Sequence, residues 1–336
     1  SSNPLTFTPV AHLSRAARSG TMLSMEAPAL ALNARSPDIR TMMMRPLTVL
    51  IALVPTLLLA QPTPADKAQG HLDKARTAYK ADELAIALVY ADSAIAADQT
   101  VNGGYKLRGD IKQRQKNLHG ALVDYTKAEK YTPDDARLYV SRSAVYISEG
   151  RVKEAIGDAD KALKLDPKDA DAWYNRACAN YLGRNNDAAL RELDKALELA
   201  PTHANALFLR GVVKGELYKE DAGLADIEAA LRLDPKLAGA AMSAGVLLFE
   251  TKRYAEAIER FSEVIAEGGS DMKEAHYYRA DCYYHLADKD KACTDWRRAG
   301  ELGDKDAQFI VRNYCSTDAD KIPKKPVRER KTVIEF

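Results

Sequence analysis

A small residue recurs every 34 positions through most of this chain, and that period limits the fold more tightly than anything else in the sequence. Ala94, Ala128, Ala162, Ala196 and Ala230 are spaced by 34, followed by Val264 at 34 and Ala299 at 35. Seven residues ahead of each lie Ala87, Ala121, Ala155, Ala189, Gly223, Ala257 and Ala292, and a third series runs Ala75, Gly109, Ser143, Ala177, Gly211, Gly245 and Ala280. Such a period marks a stack of like supersecondary units, and small side chains let the paired helices of each unit approach closely. Prolines at 133, 167, 201 and 235 end each second helix, because proline cannot continue the hydrogen-bond ladder. Each unit reads as helix, turn, helix, and the chain as an all-α stack.

Seven in-phase copies with a small residue at repeat position 8, alanine at 20 and 27 and proline at 32 resemble the tetratricopeptide repeat family over about residues 68 to 306. The resemblance implies a right-handed α-solenoid of units 68–101, 102–135, 136–169, 170–203, 204–237, 238–272 and 273–306. Gln99 and Gly269 stand where two of the prolines would be, and Gly268-Gly269-Ser270 marks an extra residue, so irregularity is expected between units six and seven. A stack needs its ends covered. The segment 304–315, with Ala307, Phe309, Ile310 and Tyr314, reads as a C-terminal capping helix, and 316–336 as a disordered basic tail.

Arg108, Arg142, Arg176, Arg210 and Arg279 share repeat position 7, and Asp124, Asp158, Glu192, Asp226 and Asp295 follow sixteen residues after each. Where the arginine is missing, at Lys74 and Ala244, the acid is missing too, at Tyr90 and Arg260. In an antiparallel hairpin turning near position 15 the two positions are level, which predicts an ion pair linking the helices. A ladder of free arginines for anions is the competing reading, and the matched acids argue against it.

In the resembled family the inner wall is built by each first helix. Carrying its positions over places Val140, Ile147, Tyr174, Cys178, Tyr181, Phe208, Val212, Met242, Val246, Phe249, Tyr277 and Tyr284 in an apolar, aromatic groove. Its ends are polar, with Lys106, Asp110, Gln113 and Arg114 on one side and Asp281 and His285 on the other. Such a patch suits a protein or peptide partner. Ordinary packing between helices is the alternative for each residue. The family's terminal-carboxylate clamp is not expected, because only Asn175 and Lys106 come near its pattern.

Near-equal charge, 49 basic against 48 acidic residues, argues against nucleic acid as a partner. Met42 to Arg45 precede the apolar run Leu47 to Ala60, which is too short for a stable span and reads with them as a signal peptide at 42–60, followed by a linker at 61–67. Residues 1–41 read as disordered or as an over-extended gene start. The chain is therefore expected to be exported, periplasmic or secreted. Among four cysteines, Cys293 and Cys315 flank Asp304 symmetrically and are expected to pair, with Cys282–Cys293 as the rival, and Cys178 to remain a thiol. No nucleophile with its base, metal set or phosphate loop is apparent: Asp281, Cys282 and His285 share one helix without a second ligand set, and His71, His119 and His203 are scattered. The sequence predicts a non-enzymatic, monomeric scaffold without cofactor or metal. The alternatives are an accessory subunit recruiting an enzyme or envelope assembly, and self-assembly.

Overall fold

The computed structural model describes residues 61–322, so the leader expected at 42–60, residues 1–41 and the last fourteen residues of the tail lie outside the described residues. The described part contains fifteen α-helices in hairpins: α1 (Pro64–Lys80) with α2 (Leu84–Ala97), α3 (Gly104–Arg114) with α4 (Leu118–Tyr131), α5 (Ala136–Ser148) with α6 (Val152–Leu165), and α7 (Ala170–Leu182) with α8 (Asn186–Leu199). Then follow α9 (Ala204–Glu216) with α10 (Glu220–Leu233), α11 (Ala240–Glu250) with α12 (Tyr254–Glu267), α13 (Met272–His285) with α14 (Lys289–Glu301), and α15 (Lys305–Ile310), which runs into a π-helical turn, Val311–Cys315. The fold is all-α.

Local chemistry sets the boundaries. The first helix starts inside the expected linker, because Thr63 and Asp66 form a capping box: the Asp66 amide donates to Thr63 Oγ1 at 3.1 Å and the Thr63 amide to Asp66 at 2.9 Å. Asp135, Asp169, Asn117, Asn185 and Asp288 cap later helices through their side chains. Inside each hairpin one residue turns the chain through the left-handed region, at Asp82, Lys116, Gly150, Arg184, Tyr218, Lys252 and Ala287. Only one of these is glycine, so the 34-residue phase of the turn was hidden in the sequence. Between hairpins, Thr132, Asp166, Ala200 and Asp234 leave the helical region just before proline, which disfavours helix in the residue ahead of it. Gly268 (φ +80°) and Gly269 (φ +101°) take over that role after α12, where the extra residue enters.

The three small-residue series lie at the helix contacts. Ala87, Ala121, Ala155, Ala189, Ala257 and Ala292 are fully buried, as are Ala94, Ala162, Ala196, Ala230 and Ala299. Helices α9 and α10 approach closest through two glycines: a Cβ on Gly211 would stand 2.6 Å from the Gly223 carbonyl, and one on Gly223 2.5 Å from the Gly211 carbonyl. In α3 and α11 the glycine instead receives an aromatic ring, Tyr125 on Gly109 and Phe261 on Gly245. The cap differs from a single helix over 304–315, and residues 316–322 are held rather than loose: Lys289 Nζ donates to the carbonyls of Thr317 and Ala319, and Ile322 packs on the core.

Glycine position therefore decides the sign of a Gly→Ala change. Gly211→Ala should destabilise by about 1–3 kcal/mol, since the backbone it would strike cannot turn aside. Gly157→Ala should stabilise by about 0.5–1 kcal/mol, because Gly157 lies inside α6 with nothing within 4 Å of a new Cβ. Urea unfolding of the two variants checks both signs.

Candidate functional site

The position-7 arginines decide which charges along the hairpins are already paired. Arg142 Nε and Nη2 donate to Asp158 at 2.6 and 2.9 Å, with both side chains 6% exposed. Arg108 meets Asp124 at 2.8 and 2.6 Å, Arg210 meets Asp226 at 2.7 and 2.8 Å, and Arg279 meets Asp295 at 2.7 and 2.9 Å. Arg176 Nε lies 2.8 Å from Glu192. The structure thus brings all five expected pairs together.

Each guanidinium also reaches back to the preceding hairpin, which sequence reasoning missed. Arg108, Arg176 and Arg210 donate to Asp92, Asp160 and Asp194 at 2.7, 2.8 and 2.9 Å, Arg142 to Glu129 at 2.8 Å, and Arg279 to Ser262 at 2.8 Å. The signal was present: an aspartate stands sixteen residues before three of the arginines as well as an acid sixteen after. Hydrogen bonds from Arg142 and Lys161 hold the Glu129 carboxyl down at about 2. Burial pushes Glu192 up despite Arg176, whereas bonds from Arg210 and Lys214 outweigh burial and keep Asp226 low. Each of these arginines is thus held between two acceptors.

Most of the residues expected to line an apolar groove are covered by neighbouring helices. Val140, Ile147, Cys178, Phe208, Val212, Met242, Val246 and Tyr277 are buried, with Phe208 5%, Met242 2% and Tyr277 1% exposed. Successive first helices lie close enough that side chains at these positions fill the space between them, and most belong to one core with Ala206, Leu209, Ala244 and Ala275. Burial also pushes the Cys178 thiol up to about 12. The half-buried four are engaged as well. Tyr181 Oη is 2.7 Å from Glu216, Phe249 packs on Tyr254 and Tyr278, and Tyr284 packs on Trp296 and Tyr314. Tyr174 lies with its ring 4.8 Å from that of His203.

An open space of mixed polar and apolar lining, to which Val140 and Ala144 contribute, lies nearer the N-terminal end. A cavity of about 680 Å³ is lined from five successive first helices and their turns, by Tyr79, Lys106, Asp110, Gln113, Arg114, Lys116, Arg137, Ser141, Asp171, Tyr174, Asn175, His203 and Asn205 among others. Its floor is locked. Asn175 Nδ2 donates to the Val140 carbonyl at 3.0 Å and Ser143 Oγ at 2.9 Å, and Tyr125 Oη lies 2.8 Å from Asp110 and 2.7 Å from Gln113. Lys106 pairs with Asp110 at 2.8 Å, and Arg137 with Asp171 at 2.9 Å. His203 Nδ1 accepts from the Ala206 amide, which leaves its Nε2 proton facing Asp171 at 3.3 Å. His203 and Arg137 together hold the Asp171 carboxyl down at about 2. The lining carries four cationic side chains, Lys106, Arg114, Lys116 and Arg137, and two carboxylates, Asp110 and Asp171, beside neutral donors and acceptors. Polar positions noted in the sequence only as one end of the groove, Lys106, Asp110, Gln113 and Arg114, belong to this cavity. Among the described residues no cluster of three His, Cys, Asp or Glu could hold a metal ion.

Stacked helical hairpins with a shared cavity on their first helices define a helical repeat protein. The tetratricopeptide repeat family model matches residues 106–170, 145–204, 221–271 and 253–306, and the chain belongs to that family. No curated protein matches the sequence. Among solved structures it is similar to a tetratricopeptide repeat protein from Parabacteroides merdae, at 19% identity over 73% of this chain and 98% of that one, with a TM-score of 0.52. It is also similar to pilF of Pseudomonas aeruginosa, at 21% identity over 66% and 94% of the two chains, with a TM-score of 0.53. PilW, described as a type IV pilus biogenesis factor, follows at 16% identity, 59% and 92% coverage and a TM-score of 0.55. These likenesses show the shared fold.

Two substitutions separate scaffold from binding surface. Asp158→Ala should cost about 1–3 kcal/mol by leaving the buried Arg142 only its bond to Glu129, and combining it with Arg142→Ala should cost less than the two single losses added. Additive losses in thermal or urea unfolding would contradict a direct pair. Phe208→Ala should lose about 3–5 kcal/mol, as a packed core phenylalanine does. A small loss there would restore Phe208 to an open surface.

Proposed function

We propose that this chain is a non-enzymatic scaffold that binds an extended polypeptide segment of a partner protein in the polar cavity of its first five hairpins. One observation carries the reading: five first helices contribute side chains to a single open space, and those side chains present paired donors and acceptors. An extended chain offers amides and carbonyls at regular intervals, which such a lining matches without demanding one sequence. Of the apolar stripe expected from the sequence, Val140 and Tyr174 belong to this cavity, and the other members lie outside it.

Export to an oxidising compartment, periplasmic or extracellular, fits two features. The apolar run Leu47 to Ala60 follows a basic start, and a disulfide joins Cys293 and Cys315. Among the described residues no helix is long and apolar enough to cross a membrane. The chain acts as a monomer in this reading.

Asn205 lies exposed at the cavity wall. Asn205→Trp should fill the opening and weaken capture of a partner at least roughly tenfold, about 1.4 kcal/mol, at an unchanged melting temperature. Quantitative pull-down from an envelope extract against the unaltered chain measures this, and equal capture by both would refute the cavity as the binding site.

A further inference from the structure

We propose that the Cys293–Cys315 disulfide fastens a redox-gated cap, and that its reduction releases residues 304–319 from the end of the stack while the hairpins stay folded. The bond joins α14 to the end of the π-helical turn across 22 residues. What it holds could not hold itself, for α15 has six residues, and so short a helix is unstable in water without tertiary support.

The cap covers the last apolar surface of the array. Trp296 on α14 is fully buried, with the Tyr314 ring edge-on to it at 6.0 Å and edge-on to Tyr284 at 5.6 Å, while Ala307 and Ile310 fill the space beside them. Every other hairpin is covered by the next one, and this hairpin by the cap. Other ties lie at the margin of the cap. Gln308 Nε2 donates to the Gly300 carbonyl at 2.8 Å, and Lys289 Nζ donates to the carbonyls of Thr317 and Ala319 at 3.2 and 3.0 Å and sits 4.5 Å from the Tyr314 ring.

Access to the bond is one-sided, because Cys293 is buried whereas Cys315 lies half-buried at the margin. A dithiol reductant attacks Cys315 Sγ as its thiolate, the disulfide breaks, and Cys293 leaves as a thiolate that takes up a proton. The second thiol of the reductant then closes its own disulfide and frees Cys315, so two electrons and two protons pass to the protein. The other two cysteines, Cys178 and Cys282, are buried thiols before and after, so one bond carries the whole change. Opening the cap leaves at the end of the stack the same kind of apolar face that each hairpin offers its neighbour.

The experiment uses the full chain carrying Trp173→Phe, which leaves Trp296 as its one tryptophan, with and without dithiothreitol, and thiol alkylation to establish that the bond is cut. On reduction, amides of 304–319 should exchange at least roughly tenfold faster, Trp296 emission should shift to the red, and protection across α1 to α12 should stay as it was. Cys315→Ser should behave as the reduced chain with or without reductant. Unchanged exchange and emission after proven cleavage would overturn the proposal, and so would loss of protection over all hairpins together.

Discussion

No hairpin in this molecule can bury its own apolar surface. Two antiparallel helices cover one side of each other and leave a second side bare, so a hairpin is stable only with a neighbour on it, and stability becomes a sum over interfaces. The fully buried alanines at helix contacts are the condition for that arrangement, since larger side chains would hold the helices apart. The same constraint explains the ends. At the start, α1 turns Asp73, Lys74, Arg76 and Thr77 to solvent. At the finish a short cap closes over Trp296 and is tied there by a covalent bond.

Polar interactions are laid through this stack in a definite place. Each position-7 arginine binds an acid of its own hairpin and, in four of five cases, an acid of the hairpin before, so it joins the units as well as the helices. Buried Arg142, Ser143, Asp158 and Asn175 lie around α5, where the two larger apolar clusters part: Leu138 and Val145 belong to the N-terminal cluster and Ile147 to the C-terminal one. The polar cavity opens over that same stretch. Ala244 takes the arginine position in α11, and there the helix is apolar and its side chains are largely buried in the larger core. The open cavity thus sits where the interior is polar, and the larger apolar core lies where it is not.

Much of this was legible from spacing alone. A period of 34 specified the hairpins, and the coincidence of arginine with an acid sixteen residues on specified the pairs, because a missing member was missing with its partner. The backward contacts escaped because the pattern breaks twice: Thr126 stands sixteen residues before Arg142, and Glu263 stands there for Arg279 while Ser262 makes the contact. The apolar stripe misled for a physical reason. Repeat position says which way a side chain points but not how near the next first helix comes, and at Phe208 and Met242 it comes near enough to cover them. Polar lining residues such as Asn205 and His203 fall at helix starts, where the sequence suggests caps, and His203 is one.

If interfaces between hairpins hold the molecule, stability must grow with their number. Urea unfolding of chains spanning residues 61–203, 61–237 and 61–322 measures this directly. Both the midpoint and the slope of the transition should rise with each length, because every added hairpin brings another buried interface. Equal midpoints for the shortest and the longest chain would contradict it, for they would show that a hairpin owes its stability to itself.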